Sequence, residues 1–465
     1  MMLRRTQSLC PLCLRRLDAF YAHSADGRTV ELCKSCPEHG QFRVAVWQEP
    51  EANIPSAPAF ADWTRPKSPS YPQHPATELE DGCPFDCGLC PVHGQHTCTG
   101  LIEVTLRCNM ACPLCYASAG TASSPSDPAL ADIGQRLDAL KRASGACNVQ
   151  ISGGEPTVRD DLPGIVDMVR QRGFGLVQLN TNGLRLAEEA DYAATLADAG
   201  LESVYLQWDA VGDAAFRMLR GRDCLAFKRR ALANCARAGL GVVLVATVVR
   251  GVNDHELGAL LRLALELGPA VRGLHLQPAA FFGRYPWPLA EAPRLTLAEI
   301  MNALARQAPE LVRPEHLRPP ACEHELCSFN AAYRRVDGTG KPGLAWLHQG
   351  GSCCDAARPL QRLVPPLPTA AEGSRAARRF VALHWRGQRG PAPADGAGDA
   401  FDRFLAQEGV ARHFTLSGMA FQDALSLDLD RVRGCCIHVV RPAGRLIPFC
   451  LHNLTAAGGT RLYPL

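Results

Sequence analysis

Three closely spaced cysteines directly after a predicted strand constrain this chain more than any other feature. Residues 101–106 (LIEVTL) carry apolar side chains in the pattern of a strand, and Cys108, Cys112 and Cys115 follow in a C-x3-C-x2-C spacing. Thiolates at this spacing can bind three irons of an iron–sulfur cube and leave the fourth iron open to a small molecule. A zinc knuckle is the alternative, but the rest of the chain favours the cube.

The number and grouping of the cysteines indicate metal binding. The chain has 21 cysteines in 465 residues, and most lie in tight groups that suit metals better than disulfides. Cys147, Cys224 and Cys235 stand alone and are predicted to be buried thiols. Oxygen-sensitive clusters need a reducing compartment, so we expect a cytoplasmic protein. The net charge of +3 gives no electrostatic reason for a nucleic-acid partner, and no apolar run reaches the ~18 residues of a spanning helix.

The first 48 residues contain two C-x2-C pairs, Cys10 with Cys13 and Cys33 with Cys36. Two such pairs about twenty residues apart predict a four-thiolate metal site. A hairpin is expected between them, with its turn at residues 25–27. Zinc and a single rubredoxin-like iron both suit four thiolates, so the site is either a structural clip or an electron carrier.

Proline-rich residues 50–78 predict an extended linker, and a second cysteine array follows it. Four cysteines within sixteen residues can enclose a whole iron–sulfur cube, which we expect to be an auxiliary [4Fe–4S] cluster. They are Cys83, Cys87, Cys90 and Cys98. His93 and His96 are alternative ligands in the same segment, although loop histidines without a metal are commoner.

From residue 101 to about 285 the sequence alternates predicted strands and helices, the pattern of a parallel α/β barrel or open sheet. Further strands are predicted at 149–152, 176–179, 204–207, 242–249 and 274–276. Polar residues follow several of these strands, where parallel barrels place their chemistry. The second strand runs into Gly153, Gly154, Glu155 and Pro156, and glycines there let the backbone approach a ligand closely.

The last third of the chain contains a predicted helix at 295–311 and more cysteines. Residues 365–399 are rich in Pro, Gly, Ala and Arg and predict an insertion, with a helix near 374–384. A hairpin turn is expected at residues 442–444. We expect a second auxiliary cluster from Cys322, Cys327, one of the pair Cys353 and Cys354, and the C-terminal set Cys435, Cys436 and Cys450.

The cysteine motif, with Tyr116 directly after it, resembles the signature of the radical S-adenosylmethionine (SAM) enzymes. The wider motifs resemble one branch of that superfamily, the archaeal tetraether lipid synthases and their bacterial relatives. Members of this branch have also been described as methyltransferases acting on a hydroxymethyl-dihydropterin. Residues 316–400 do not clearly match the branch. The matching motifs are CPLC…CKSCPEHG, CPFDCGLCPVHGQHTC, EVTLRCNMACPLCYA, ISGGEPTVRDDL, SVYLQWDA and GCCIHVVRPAGRLIPFCLHNLT.

The resemblance implies an α/β fold with a partial (β/α)6 radical SAM barrel, an N-terminal rubredoxin-like module and cysteine-rich auxiliary-cluster segments. It implies that Cys108, Cys112 and Cys115 hold a [4Fe–4S] cluster whose open iron binds SAM, from which a 5'-deoxyadenosyl radical is made. Tyr116 is expected to bind SAM, and the segment from Gly153 to Pro156 is expected to contact its amino group. Candidates for the ribose and adenine of SAM are Asn182, Asp209, Thr247 and Gln277, unless they only cap strands or helices.

The expected regions are a metal module at 1–48, a linker at 49–78, an auxiliary-cluster segment at 79–99, the barrel at 100–290 and a cysteine-rich region at 291–465. The first functional interpretation is hydrogen abstraction from an unactivated carbon, with carbon–carbon bond formation on a lipid. A pterin methyltransferase or a peptide modifier is the alternative, and an iron–sulfur redox sensor ranks last because it needs no SAM site. Expected partners are a small-molecule or lipid substrate, an electron donor such as flavodoxin or ferredoxin, and a membrane surface.

Overall fold

The computed structural model describes residues 2–51, 57–73, 75–120, 126–337, 342–347, 367–387 and 412–464. Its first sheet is antiparallel, and its strands are neighbours in sequence order. The predicted turn at 25–27 joins the second strand to the third, and Gly27 has a φ of +69° there. The strands are β1 (Met2–Leu9), β2 (Arg16–His23), β3 (Thr29–Cys36) and β4 (Gly40–Gln48).

Six parallel strands in sequence order form the centre of a second, eleven-stranded sheet. Each predicted strand overlaps an observed one, so the predicted α/β fold with its partial barrel is confirmed. The six are β5 (Thr99–Thr105), β6 (Asn148–Gly153), β7 (Val177–Thr181), β8 (Ser203–Gln207), β9 (Gly241–Val248) and β10 (Val271–Pro278).

Five further strands extend this sheet at its two edges. Two of them continue the parallel arrangement, one beside β10 and one beside β5, and the other three are antiparallel to their neighbours. The predicted turn at 442–444 joins the last two strands. The five are β11 (Ser328–Asp337), β12 (Pro342–Trp346), β13 (His413–Met419), β14 (Ile437–Val440) and β15 (Leu446–Pro448). The strand parallel to β10 is β13, and the strand parallel to β5 is β14.

Most helices lie between the barrel strands. The helix predicted at 295–311 is shorter than expected: Thr296 and Glu299 form the capping box at its start, and it ends before Pro309, which disfavours helical geometry in the residue before it. The helices are α1 (Leu130–Ser144), α2 (Leu162–Gln171), α3 (Leu184–Glu188), α4 (Tyr192–Asp198), α5 (Asp213–Arg220), α6 (Leu225–Arg237), α7 (Leu257–Glu266), α8 (Leu297–Gln307), α9 (Ala370–Trp385), α10 (Leu429–Arg433) and α11 (Phe449–Asn453).

The two faces of the barrel strands differ in polarity. Ile151, Leu179 and Leu206 are fully buried and belong to the large apolar core that the helices share. Because side chains alternate along a strand, their neighbours Ser152 and Asn180 point to the opposite, concave face. The barrel therefore has an apolar outer layer and a polar inner surface near the carboxyl ends of its strands.

Helix α9 lies within the segment predicted as an insertion and packs at the start of the barrel strands. The indole Nε1 of Trp385 donates to the Thr415 hydroxyl at 2.9 Å, and Arg272 Nε donates to the carbonyl of His384 at 3.0 Å. A Cβ on Gly241 would lie 2.3 Å from the carbonyl oxygen of Trp385. Residues 388–399 of that predicted insertion lie outside the described residues.

The N-terminal sheet and the proline-rich stretch pack on the body of the protein. Trp63 is buried, and its Nε1 donates to the carbonyl of Glu325 at 2.8 Å. Thr6 of β1 donates to the fully buried Asp428 at 2.5 Å, and Tyr21 of β2 donates to the same carboxylate. Across the described ranges, no helix combines the length and apolar character needed to span a bilayer.

Candidate active site and metal centres

The C-x3-C-x2-C motif forms a loop that leaves the carboxyl end of β5, with Cys108, Cys112 and Cys115 all half-buried. Arg284 fixes this loop: its backbone exchanges hydrogen bonds of 2.8 and 2.9 Å with Cys115, and its Nε donates to the carbonyl of Cys112 at 2.8 Å. Burial raises the pKa of the Cys108 thiol to about 12, so the thiol stays protonated until a metal displaces its proton. This donor set fits a thiophilic metal centre.

Gly153 and Gly154 bring the end of β6 against the backbone of the cysteine loop. Gly153 has a φ of +129°, and a Cβ on it would lie 2.1 Å from the carbonyl oxygen of Thr105. A Cβ on Gly154 would lie 2.3 Å from the carbonyl oxygen of Arg107. The N–H of Gly154 donates a hydrogen bond to the carbonyl oxygen of Thr105 at 2.8 Å. Both positions therefore need glycine for the close approach of two protein segments.

We expect Gly153→Ala to weaken cluster binding, because the new Cβ and the positive φ both displace the end of β6 from the cysteine loop. Strain of this kind costs about 1–3 kcal/mol. The measurement is iron per chain after anaerobic reconstitution, together with the thermal midpoint. Gly164→Ala in α2 is the control, since a Cβ there meets nothing within 4 Å. Full iron occupancy in Gly153→Ala would show that the close approach is dispensable.

Glu155 joins the ends of β6 and β7 and is almost completely buried. Its Oε1 accepts from the Thr157 N–H at 3.1 Å and from the hydroxyls of Thr157 and Thr181 at 2.7 Å, and its Oε2 accepts from the Asn182 N–H at 2.7 Å. Burial raises the pKa of this carboxyl, and the hydrogen bonds oppose the shift. Pro156 is buried and begins the 3-10 helix at 156–158. Oε2 can accept a further hydrogen bond from a ligand.

Three other predicted SAM contacts lie around this edge of the barrel. Asn182 Nδ2 donates to Asn109 Oδ1 at 2.8 Å, which links the end of β7 to the cysteine loop. The Tyr116 hydroxyl lies 3.1 Å from the Ser152 hydroxyl. Gln277 is half-buried near the end of β10. All three belong to segments at the carboxyl ends of the strands, where the cysteine loop also lies.

Asp209 is completely buried and forms an ion pair with Arg220 instead of facing an open site. Arg220 donates to the two carboxylate oxygens at 2.7 and 2.8 Å, to the Thr247 hydroxyl at 2.9 Å and to the carbonyl of Leu114 at 2.9 Å. Burial lowers the pKa of Arg220, but the Asp209 carboxylate outweighs it and the pKa is raised overall. Asp209 and Thr247 hold the cysteine loop through Arg220, and their expected contacts with SAM stay a prediction.

The N-terminal metal site contains a histidine that the sequence interpretation did not include. Nδ1 of His39 lies 3.5 Å from the Sγ of Cys10 and 3.4 Å from the Sγ of Cys36, and the Sγ atoms of Cys13 and Cys36 are 4.0 Å apart. The ligand atoms of these four residues all lie within 4.8 Å of one another. Three thiolates and one imidazole are a typical structural zinc set.

Cys33 does not belong to this group, which corrects the expected four-cysteine site. Its Sγ lies 3.9 Å from the carbonyl oxygen of Glu31. Cys33 and Cys36 are three residues apart on β3, so their side chains point to opposite faces of the sheet. The four-thiolate, rubredoxin-like arrangement is therefore replaced by a Cys3His arrangement.

We expect His39→Ala to lose the metal of this module, whereas Cys33→Ala retains it. The reason is that His39 supplies one of four ligands and Cys33 supplies none. Zinc and iron per chain, measured by elemental analysis of the purified variants, check this. Metal loss in Cys33→Ala with retention in His39→Ala would contradict the assignment.

The predicted four-cysteine array after the linker is divided between two places. Three of its members are buried, and Cys87 interacts electrostatically with both of the others: they are Cys83, Cys87 and Cys90. Cys98 leaves this group, because its N–H donates to the carbonyl of Cys436 at 2.8 Å and holds it beside β14. His93 Nε2 contacts the carbonyl of Cys435 at 2.7 Å and His96 Nε2 contacts Ser70 at 2.9 Å, so neither histidine faces the three thiols.

The thiols that were expected to form one C-terminal cluster also separate into two groups. Cys322 and Cys436 lie 2.9 Å apart, and Cys98 lies 3.9 and 3.0 Å from them. The other three, Cys327, Cys435 and Cys450, interact electrostatically with one another, and Cys435 also interacts with Cys98. Cys353 and Cys354 lie outside the described residues. The two groups are therefore Cys98/Cys322/Cys436 and Cys327/Cys435/Cys450.

Sequence reasoning missed several residues that shape these sites. The spacing C-x2-H from Cys36 to His39 was present in CPEHG and would have identified the histidine ligand. Arg220 and Arg284 carry no such signal, because each contacts the cysteine loop from more than a hundred residues along the chain. Only the folded barrel brings them to the motif.

Comparisons with known proteins agree with this geometry. A model of the radical SAM superfamily matches residues 102–264, and a model described as the HMPTM N-terminal zinc ribbon domain matches residues 2–48. The first range begins within β5 and includes the cysteine loop. The second coincides with the sheet that carries the Cys3His group.

Similarity to individual proteins extends over nearly the whole chain. The chain is 31% identical to 7,8-dihydro-6-hydroxymethylpterin dimethyltransferase of Methanocaldococcus jannaschii, over 97% of this chain and 93% of that protein. It is 30% identical to a probable GTP 3',8-cyclase of Methanothermobacter thermautotrophicus, over 40% of this chain and 59% of that protein. Among solved structures, methylornithine synthase aligns at 15% identity with a TM-score of 0.36, over 49% of this chain and 65% of that chain.

Proposed function

Because the chain belongs to the radical SAM superfamily, in the family of the M. jannaschii dimethyltransferase, we propose that it forms carbon–carbon bonds on a small polar heterocycle of the pterin class. When bound, the [4Fe–4S] cluster and SAM supply a 5'-deoxyadenosyl radical, which removes hydrogen from carbon. We assign the cluster to Cys108, Cys112 and Cys115, and SAM contacts to Glu155 and Asn182. The five regions expected from the sequence remain the proposed domain division.

The polar concave face of the barrel is the observation that carries this proposal. Gln150 Nε2 donates to Gln178 Oε1 at 2.6 Å, and Gln178 Nε2 donates to the Ser203 hydroxyl at 3.0 Å. Nearer the cysteine loop, Asn180 Nδ2 donates to the Ser152 hydroxyl at 3.3 Å. Several amide and hydroxyl groups on one face of the barrel suit a ligand that has hydrogen-bond donors and acceptors around a ring.

Asn180 is the side chain best placed to select such a substrate. Its Oδ1 is buried and has no hydrogen-bond partner among the described residues. A buried unpaired acceptor is costly, and an N–H of a pterin ring would satisfy it. A site built this way discriminates strongly against analogues that lack the donor. An alkyl chain offers no donor and would leave the Asn180 carbonyl unpaired.

Lipid coupling, the first interpretation from sequence, is now the second candidate. It is favoured by an apolar cluster that packs beside Tyr116: Leu101, Phe282, Phe421, Val439 and Phe449. The Tyr116 and Phe449 rings have centroids 5.5 Å apart, so this cluster reaches the residue after the cysteine motif. The cluster supports a short apolar contact with a substrate rather than a long groove.

The test supplies reduced, reconstituted enzyme with SAM and 7,8-dihydro-6-hydroxymethylpterin under anaerobic conditions. We expect 5'-deoxyadenosine together with a pterin that is heavier by one or two CH2 units, since methylation replaces hydrogen by a methyl group. SAM is the only one-carbon donor supplied, so isotopic label in its S-methyl group should appear in the heavier pterin. A parallel incubation with lipid extract, analysed by mass spectrometry, tests the second candidate. SAM cleavage with unchanged pterin and newly linked lipids would overturn the pterin proposal.

Asn180→Ala should raise KM for the pterin by about 10- to 100-fold, because loss of one buried hydrogen bond costs about 1–3 kcal/mol. KM values for pterin and for SAM in the variant and the native enzyme are the measurement. Gln171→Ala removes an exposed amide at the end of α2 and is the control. An unchanged pterin KM in Asn180→Ala would remove Asn180 from the substrate site.

A further inference from the structure

The Cys98/Cys322/Cys436 group has a carboxylate beside it. Glu323 Oε2 lies 2.8 Å from the Cys322 Sγ and 3.7 Å from the Cys436 Sγ. We propose that Glu323 is the non-cysteine ligand of the auxiliary iron–sulfur cluster held by Cys98, Cys322 and Cys436. Each ligand of a cube binds its own iron, so the three sulfurs, which lie 2.9–3.9 Å apart here, must separate when a cube binds, and the oxygen needs only to lie beside them.

The carboxylate is held in place for this role. The Ser328 hydroxyl donates to Glu323 Oε1 at 2.5 Å, which leaves Oε2 directed towards the sulfurs. The surrounding backbone is also fixed, because Gln95 Nε2 donates to the carbonyl of Cys322 at 2.5 Å. Segments from three distant parts of the chain therefore converge on one buried group of thiols.

Three other candidate ligands lie in the same region, but among the described contacts none of them reaches the three sulfurs. Cys435 donates from its Sγ to the carbonyl of Ile437 at 3.2 Å. Cys147 is buried within the large apolar core. His438 contacts the Thr97 hydroxyl through Nδ1 at 3.1 Å, and its buried Nε2 has no hydrogen-bond partner among the described residues. Among the described side chains, Glu323 is thus the best-placed oxygen or nitrogen ligand for these three cysteines.

An oxygen ligand changes the chemistry of such a centre. Carboxylate oxygen is harder than thiolate sulfur and binds iron less covalently, so it alters the reduction potential and exchanges more readily. The centre is then better suited to tuned electron transfer, or to opening one iron, than a cluster with four thiolates. This inference uses the auxiliary cluster that family membership implies and does not depend on the substrate.

The experiment uses full-length chain in which Cys108, Cys112 and Cys115 are alanine, so that the SAM-binding cluster does not contribute to the spectrum. Iron per chain and the electron paramagnetic resonance (EPR) spectrum after reduction are measured for Glu323→Ala and Glu323→Cys. We expect Glu323→Ala to lose the iron and the signal of one centre, and Glu323→Cys to restore the iron with shifted g values. Glu325→Ala, two residues away with its carboxylate on Arg4, is the matched control.

Three results would overturn the proposal. One is native iron and an unchanged EPR spectrum in Glu323→Ala, and another is a native spectrum in Glu323→Cys. The third is an intact signal in Glu323→Ala with loss of the same signal in Cys147→Ala, His438→Ala or the double variant Cys353→Ser/Cys354→Ser. If Glu323→Ala does not fold, as judged by circular dichroism, Glu323→Gln replaces it. That variant keeps the side-chain size and should still shift or weaken the signal.

Discussion

Replacing Cys112 by alanine is expected to abolish 5'-deoxyadenosine formation while the fold is retained. Two thiolates remain in the motif, and they cannot hold a cube that binds three irons through this loop. We expect activity to fall by at least about a thousandfold, a loss of more than about 4 kcal/mol of transition-state stabilisation. The fold should survive because Arg284 donates a hydrogen bond to the backbone carbonyl of Cys112, which the substitution leaves in place.

The measurement is 5'-deoxyadenosine by liquid chromatography after anaerobic reduction with SAM, with circular dichroism as the check on folding. Cys235→Ala is the matched control, because that thiol is fully buried in α6 and belongs to the apolar core. Its loss removes packing but no cluster ligand, so SAM cleavage should persist. Undiminished 5'-deoxyadenosine in Cys112→Ala would remove Cys112 from the catalytic cluster.

The barrel was predictable because the local sequence is enough to identify its strands. Apolar runs of four to eight residues that end in polar or glycine residues specify strands and their carboxyl ends, whatever the partners are. Gly153 and Gly154 were expected to let the backbone approach a ligand closely, which stays a prediction. They accommodate the carbonyl groups of Thr105 and Arg107, and that contact depends on the pairing of β5 with β6.

The metal ligands were harder to predict, for reasons that differ between sites. In the N-terminal module, Cys10 and Cys13 lie in a turn and can converge, whereas Cys33 and Cys36 lie on a strand and diverge. The spacing C-x2-C therefore does not identify a ligand pair without knowledge of the local backbone. Cys98 was grouped with its sequence neighbours, but it directly precedes β5, which pairs with β14 more than three hundred residues later.

Breaking the buried Asp209–Arg220 pair should strongly destabilise the barrel. We expect Arg220→Ala to lower the free energy of unfolding by about 3–5 kcal/mol, because it leaves a fully buried carboxylate without its cation. The same variant releases the carbonyl of Leu114, so iron occupancy of the catalytic cluster should also fall. Urea unfolding, monitored by hydrogen exchange of peptides from β8 and β9, measures the loss of stability. Iron per chain measures the occupancy of the cluster.

Arg217 on the same helix offers a matched control. It forms an ion pair with Asp223 at 2.7 Å on the surface, where the two side chains are 62% and 64% exposed. Arg217→Ala should cost about 0–1 kcal/mol, because exposed pairs contribute little. The double variant Asp209→Asn/Arg220→Met should be more stable than Arg220→Ala, since no uncompensated charge remains buried. Equal stability of Arg220→Ala and Arg217→Ala would mean that the buried pair does not hold the barrel end. The cysteine loop would then depend on its other contacts, among them those with Arg284 and Asn182.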